Sequence, residues 1–337
     1  MLRRHAPLAL VVVAFGIVPL LTEDRFTLDN VVVILIFATF ATAWNIAGGM
    51  TGLFSLGHAA LFAIGAYGSV LLNQRAGIPV LLAIPVAAVI AVLAALLIGL
   101  MSLRLRGHYF ALATLAFGAT VLVLLSNFPS VTGGDEGISL PFEPDAASLV
   151  FAGKVPYLYI GLGLYAVAGL VTTVLYHSKW GYRMRAIRED EVTARSMGIP
   201  VLRAKLLAVS LSGLFSSLAG SLFAYYTLYI TPDNTASIDV SLKPALMAII
   251  GGMLGVFGPL LGAVLIVVLE QQIITTIGAD VPGLSSAIYG GLLILSILVL
   301  PNGLVGLVKS LTGRRAASRR AAALAMAEPA IPERQTV

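Results

Sequence analysis

The chain has no cysteine among its 337 residues, and only 11% of them are charged, against about a quarter in a soluble domain. The first absence excludes disulfides, iron–sulfur ligation and thiolate metal sites, and leaves the redox compartment unreadable. The second excludes a water-soluble globular fold. Histidine is also scarce: four residues, scattered at positions 5, 58, 108 and 177, form no cluster of acid, base and nucleophile of the kind an integral membrane enzyme needs. Phosphate chemistry lacks its signature as well. The glycine pair in Thr-Gly-Gly-Asp-Glu-Gly-Ile at 132–138 has neither the Gly-Lys-Ser/Thr ending nor the preceding strand of a phosphate loop. The reading is a non-enzyme with no cofactor and no metal.

What the sequence does have is apolar length. Hydrophobic residues make up 58% of the chain, in runs long enough for helical spans of roughly 20 residues and without the alternation of a membrane β-barrel. The expected fold is all-α: a polytopic helical membrane protein of about 8–10 transmembrane helices. Spans are expected at about 1–21, 30–48, 52–72, 78–103, 108–126, 156–177, 202–228 and 284–305, with Gly48, Gly49 and Gly52 breaking the second from the third. The first resembles a signal peptide but lacks a small-x-small cleavage site, and is read as retained. Arginines at 3, 4, 104, 106 and 314–320 and the 179–205 cluster belong on the cytoplasmic side, with the acidic connections outside. That parity demands two crossings between Lys243 and Ile274, a stretch too short for two full spans. The expectation is a broken-helix hairpin interrupted at 251–259, with one long tilted span as the alternative. The net charge of +5 lies largely beside spans, where basic residues meet anionic membrane lipid, and is no sign of nucleic acid.

The most charged interlude, residues 178–200, reads Ser-Lys-Trp-Gly-Tyr-Arg-Met-Arg-Ala-Ile-Arg-Glu-Asp-Glu-Val-Thr-Ala-Arg-Ser-Met-Gly-Ile-Pro. One short helix is expected at its centre, with Glu189, Asp190 and Glu191 at the N-terminus, Arg195 in the last turn, Gly198 as a left-handed cap and Pro200 preventing continuation. Such a helix sits in water or at headgroups, exposed to another protein, or is a solvated connection. Inside the spans polar groups are few. Thr51, Ser55 and His58 fall at i, i+4, i+7, so one helix would place them on one face, either lining a solute path or bonding to neighbouring helices. Asn45 and the backbone freed at Gly251, Gly252, Gly255 and Gly258 complete the candidate path. The stripe Ser210, Gly213, Ser217 and Gly220 reads as packing. An ion-coupled secondary transporter, the competing class, would carry more intramembrane ionisable residues than His58 and Glu270.

Four segments carry a resemblance. Gly-Leu-Phe-Ser-Leu-Gly-His-Ala-Ala-Leu-Phe-Ala-Ile-Gly-Ala-Tyr from Gly52, Arg-Ala-Ile-Arg-Glu-Asp-Glu-Val-Thr-Ala-Arg-Ser-Met-Gly-Ile from Arg185, Ile-Gly-Gly-Met-Leu-Gly-Val-Phe-Gly-Pro-Leu-Leu-Gly-Ala from Ile250 and Pro-Asn-Gly-Leu-Val-Gly-Leu from Pro301 resemble, in that order, the M-type permease subunit of branched-chain amino-acid ABC importers. The likeness spans about 30–310, which implies a permease domain there, an N-terminal span and connection over 1–29, and a basic cytoplasmic tail over 311–337. It implies a multi-pass protein of the bacterial cytoplasmic (inner) membrane. Its implied partners are two ABC ATPase subunits, a second homologous permease and a periplasmic or lipid-anchored substrate-binding protein. Loop 178–200 would then be the coupling segment, with Arg185, Ala186, Arg188, Glu189, Asp190 and Glu191 in it and with Ala194 and Gly198 matching an Ala-x-x-x-Gly core. The fifth span departs from the family, reading Gly118-Ala119-Thr120-Val121-Leu122 where Gly-Glu and a nearby arginine are frequent. The substrate implied is a branched-chain amino acid or, as in some relatives, urea, a short amide or an aromatic acid.

Overall fold

A computed structural model of the chain describes residues 2–102, 108–253, 255, 257–277 and 291. In order, the helices are α1 (Leu2–Leu21), α2 (Arg25–Thr51), α3 (His58–Gln74), α4 (Val80–Ser102), α5 (His108–Asn127), α6 (Pro129–Thr132), α7 (Val155–His177), α8 (Lys179–Glu189), α9 (Glu191–Ser196), α10 (Val201–Thr227), α11 (Pro232–Ala236), α12 (Ile238–Gly251) and α13 (Phe257–Ile277). The strands β1 (Ile138–Ser139) and β2 (Tyr229–Ile230) pair antiparallel, Ile138 opposite Ile230. The fold is all-α and polytopic, as expected. Among the described residues α2, α4, α5, α7 and α10 are long and apolar enough to cross a bilayer, with shorter apolar helices over Leu8–Leu21 and Phe257–Gln272. The span expected at 284–305, the arginines at 104, 106 and 314–320, and the tail 311–337 lie outside the described residues.

The helix around which the others gather is α2. Of its most apolar stretch 94% is buried inside the protein, against 28% for α4 and 17% for α5. Asp24 starts it, the carboxylate accepting from the backbone N–H of Phe26 and Thr27, so two of the N-terminal donors that lack a helical partner are satisfied. Gly52 ends it in the left-handed region at φ 73°, returning its N–H to the helix. The sequence expectation of a break at Gly48 and Gly49 is corrected here: α2 runs to Thr51. Those two glycines make room for packing. A Cβ on Gly48 would lie 2.5 Å from the Trp44 ring, and one on Gly49 would lie 3.2 Å from the Met253 carbonyl.

Helix α3 correspondingly begins at His58, six residues later than expected. Gly52 to Gly57 is non-helical, so Thr51, Ser55 and His58 do not share one helical face. The small-residue stripe of α10 packs as read. Gly220 lies against the Phe62 carbonyl of α3, and Gly65 of α3 against the Ser217 carbonyl, the close backbone approach that small residues permit in a membrane bundle.

The broken hairpin is present. Helices α12 and α13 run antiparallel, with the break between Gly251 and Phe257. Gly251 would meet the Gly258 carbonyl at 1.6 Å and Gly262 the Met247 carbonyl at 1.8 Å if either carried a Cβ. Each of these helices therefore uses the other's missing side chains as its contact surface. The two ends of the bundle differ in charge. At one end lie Asp24, Asp29, the 127–155 connection and α11; at the other lie α8 and α9. Lys154 reaches Asp29 at 2.7 Å and also donates to Tyr226, which ties the acidic connection to the start of α2.

Candidate coupling segment and solute path

Residues 178–200 form two helices rather than the single one expected. Ser178 caps α8 by accepting from the Gly181 N–H. Asp190 then stands extended at φ −156°, ψ 112°, its carboxylate accepting from the N–H groups of Val192 and Thr193 to cap α9. The correction has a physical cause: an aspartate that captures two backbone donors ahead of it starts a helix and cannot continue the previous one. Glu189 is consequently the last residue of α8, not the first of α9. The Asp190 carboxyl is held below its ordinary range, chiefly by the Thr193 N–H and then by that of Val192. Gly198 takes φ +78°, as expected of a left-handed terminus, and Ile199 returns its N–H to the Ala194 carbonyl.

The segment has an inner and an outer surface. Met184, Ile187 and Ala194 pack with Ala43, Ile46 and Met50 of α2 and with Ala204, Ala208 and Phe215 of α10. Arg188 donates from Nη1 to the Gly49 carbonyl at 2.6 Å, placing a cation at the negative end of the α2 dipole. Glu191 bridges Arg195 at 3.0 Å and the Lys205 ammonium at 2.7 Å, the latter side chain being only 6% exposed. Arg185 lies over the rings of Tyr176 and Tyr182. Ala186 is half-buried, whereas Glu189, Asp190 and Gly198 face outward. The outward face also carries Tyr182, Val192 and Met197, 62%, 58% and 76% exposed. Sequence reasoning weighted the charges and missed these three. Their signal was available: apolar residues inside an otherwise polar segment.

The candidate path residues divide into two groups around Trp44. On one side, Asn45 donates from Nδ2 to the Gly255 carbonyl at 3.2 Å, while its Oδ1 is buried without a partner among the described residues. Of the four glycines Gly255 makes this contact, while Gly251, Gly252 and Gly258 pack against one another across the break, with Gly252 and Gly255 at φ 112° and 138°. Trp44 packs there with Ala245, Ala248 and Met253. On the other side, Trp44 donates from Nε1 to the Ser55 carbonyl at 2.8 Å. His58 lies between Ser55 Oγ, 2.8 Å from Nδ1, and Ser212 Oγ, 2.6 Å from Nε2. Ser212 Oγ spends its own proton on the Ala43 carbonyl at 2.7 Å, so Nε2 carries the hydrogen and Nδ1 accepts from Ser55. His58 is thus a neutral, fully satisfied link between α2, α3 and α10, and the cavity beside it measures only ≈ 30 Å³. Thr51 stands apart, donating to the Ala47 carbonyl of its own helix. Trp44 and Ser212 were not read from the sequence; a lone tryptophan or serine in an apolar run carries no such signal.

Comparison with known proteins adds the family. The model of the branched-chain amino acid transport system permease component matches residues 26–297. The high-affinity branched-chain amino acid transport system permease protein LivM of Escherichia coli (strain K12) is 32% identical over 309 residues, covering 85% of this chain and 71% of that one. The autoinducer 2 import system permease protein LsrC of Klebsiella pneumoniae is 28% identical, over 59% of this chain and 56% of that one. The guanosine ABC transporter permease protein NupQ of Bacillus subtilis is 27% identical, over 52% and 59%. No solved structure matches.

Proposed function

We propose a function from one premise: the chain belongs to the family of permease components of branched-chain amino acid transport systems. It is the membrane subunit of an ABC importer. It passes a branched-chain amino acid, or a closely related small amino acid or amide, delivered at the acidic end of the bundle by a periplasmic or lipid-anchored binding protein. ATP is hydrolysed in two partner subunits, one of them docked on loop 178–200, and a second homologous permease completes the path in the bacterial cytoplasmic membrane. The permease domain is residues 30–310.

The observation that carries this reading is the two-surfaced α8–α9 element. Its inner surface is locked to α2 and α10, and its outer surface offers Tyr182, Val192 and Met197 to a partner. Exposed apolar residues within a charged rim are the composition of a protein-binding face. A rigid element fastened to the most buried helix can pass a partner's movement inward. Coordinated motion of packed elements is the physical content of such coupling. As to solute, the greater identity and coverage of LivM than of LsrC or NupQ support an amino acid over autoinducer 2 or guanosine.

The test is uptake. The purified complex, reconstituted in proteoliposomes with its ATPases and binding protein, is offered L-leucine, L-phenylalanine, urea, acetamide and guanosine. ATP-dependent accumulation of L-leucine above all others is the expected result, and accumulation of guanosine or urea alone contradicts it. Orientation is checked in the same preparation. Ser196→Cys should react with an impermeant thiol reagent only from the ATPase side, and Asp135→Cys only from the opposite side.

A further inference from the structure

At the acidic end a second cavity, ≈ 320 Å³ in volume, opens between α2, α10, α11 and the α12–α13 hairpin. Its size is at the lower end of the roughly 300–1,000 Å³ that small-molecule sites occupy. Its walls are chemically divided. Phe37 of α2 and Phe223 of α10 supply aromatic surface, while Asp233, Asp239, Lys243 and Glu270 supply charge. Lys243 Nζ lies 2.9 Å from Glu270 Oε1 and 3.2 Å from Oε2, and 5.2 Å from the centre of the Phe37 ring. The pair is largely shielded, its side chains 15% and 26% exposed.

An ion pair so placed is expensive unless it has a use, because desolvating two charges offsets most of their attraction. Here the pair leaves three carboxylates and one ammonium around one cavity, so the site carries an excess of negative charge. That excess favours an ammonium group on the solute and rejects a plain anion. Among the described lining residues Lys243, which Glu270 already holds, is the cation that can meet a carboxylate. The rings of Phe37 and Phe223 offer an apolar side chain the surface it needs once it leaves water.

We propose that this cavity is an entry-side binding site for a zwitterionic α-amino acid with an apolar side chain, its ammonium facing Asp233 and Asp239 and its carboxylate facing Lys243. The inference rests on the transport function proposed above and adds where in this chain the solute is recognised. Its position suits the task. Phe37 precedes Asn45 by eight residues of the same helix, about 12 Å at 1.5 Å per residue. The cavity therefore lies above the Asn45–Gly255 contact, along one hairpin and one face of α2.

The experiment measures equilibrium binding of radiolabelled L-leucine to the assembled permease–ATPase complex without its binding protein, by scintillation proximity. L-Leucinamide, which lacks the carboxylate, and 4-methylpentanoate, which lacks the ammonium, are the competitors. Asp239→Asn and Lys243→Met should each weaken L-leucine by about tenfold or more, the loss of one charge-assisted contact. Lys243→Met should leave L-leucinamide competing nearly as well as before, and Asp239→Asn should weaken it. In the parent, 4-methylpentanoate should compete poorly. Asp233→Asn, at an exposed position, guards against misfolding of the two half-buried variants and should weaken both ammonium-bearing ligands. Parent-like L-leucine binding in all three variants overturns the site while leaving the transport function intact. A parent complex that imports urea or guanosine and neither binds nor imports L-leucine overturns both.

Discussion

The two ends of α2 are fastened by different kinds of contact. At the acidic end, Asp29 meets Lys154 and Tyr226, and the ion pair is 40% and 37% exposed. Water and salt reach such a pair, and its net contribution is under about 1 kcal/mol. At the basic end, Arg188 holds the Gly49 carbonyl, the His58 chain ties Ser55 to Ser212, and Asn45 touches the hairpin break. The His58 bonds are buried and the Arg188 and Asn45 bonds half-buried, so a lost partner leaves a polar group partly or wholly shielded from water, at up to about 1–3 kcal/mol. A helix held loosely at one end and stiffly at the other transmits motion from the stiff end. That end is the one joined to α8.

The comparison can be broken most severely at the hairpin. Gly251→Val puts side-chain atoms where the Gly258 carbonyl already lies, 1.6 Å from the ideal Cβ. No rotamer relieves a backbone clash, so the α12–α13 pair should separate and the yield of monodisperse protein should collapse in size-exclusion chromatography. Glu191→Gln comes next. It leaves the Lys205 ammonium, 6% exposed, without its carboxylate, and should cost about 2–3 kcal/mol, read as a lowered thermal midpoint. Replacement of His58 by Leu strands the Ser55 hydroxyl proton, while Ser212 keeps its bond to the Ala43 carbonyl, and should cost about 1–3 kcal/mol. If the chain of bonds is packing alone, that variant should transport at the parent rate per folded molecule; if the path passes there, the rate per folded molecule should fall. Lys154→Met, at the loose end, should move the midpoint by less than about 1 kcal/mol equivalent.

The smallest effect is on pH. The Asp190 carboxyl has a folded pKa lower than its unfolded one, so its capping contribution is complete above the ordinary carboxylate range and is lost as pH falls through the depressed value. Amide exchange at Val192 and Thr193, corrected for intrinsic rates, should accelerate only in that acidic window. Asp190→Asn should abolish the pH dependence while keeping much of the cap.

Much of this architecture was legible in the sequence because apolar length is an unambiguous signal in a chain with so little charge. The hairpin break was legible from Gly251 to Pro259, where four glycines and parity of crossings agreed. The errors have a common origin. A glycine such as Gly49 reads identically whether it breaks a helix or makes room for its neighbours, and the difference lies in what surrounds it, here the Asn45 amide one turn away and the Met253 carbonyl more than two hundred positions away. Asp190 was placed inside a helix because three successive acids suit a first turn, yet only the middle one can be the cap. The Lys243–Glu270 pair was hidden for a similar reason: it joins two separate helices, and neither residue announces the other. The outward Tyr182, Val192 and Met197 are masked in the sequence by the charged residues around them.

The central claim, that α8 drives α2 from its stiff end, is tested most directly by the ATPase activity that loaded binding protein elicits from the reconstituted complex. Arg188→Met removes the link to Gly49, and Lys154→Met removes the link at the opposite end. The account predicts that the first loses most of the stimulation, about tenfold for one charge-assisted bond, with assembly and unstimulated hydrolysis retained, and that the second keeps the parent response. Equal stimulation in both variants, or loss only in Lys154→Met, would contradict it.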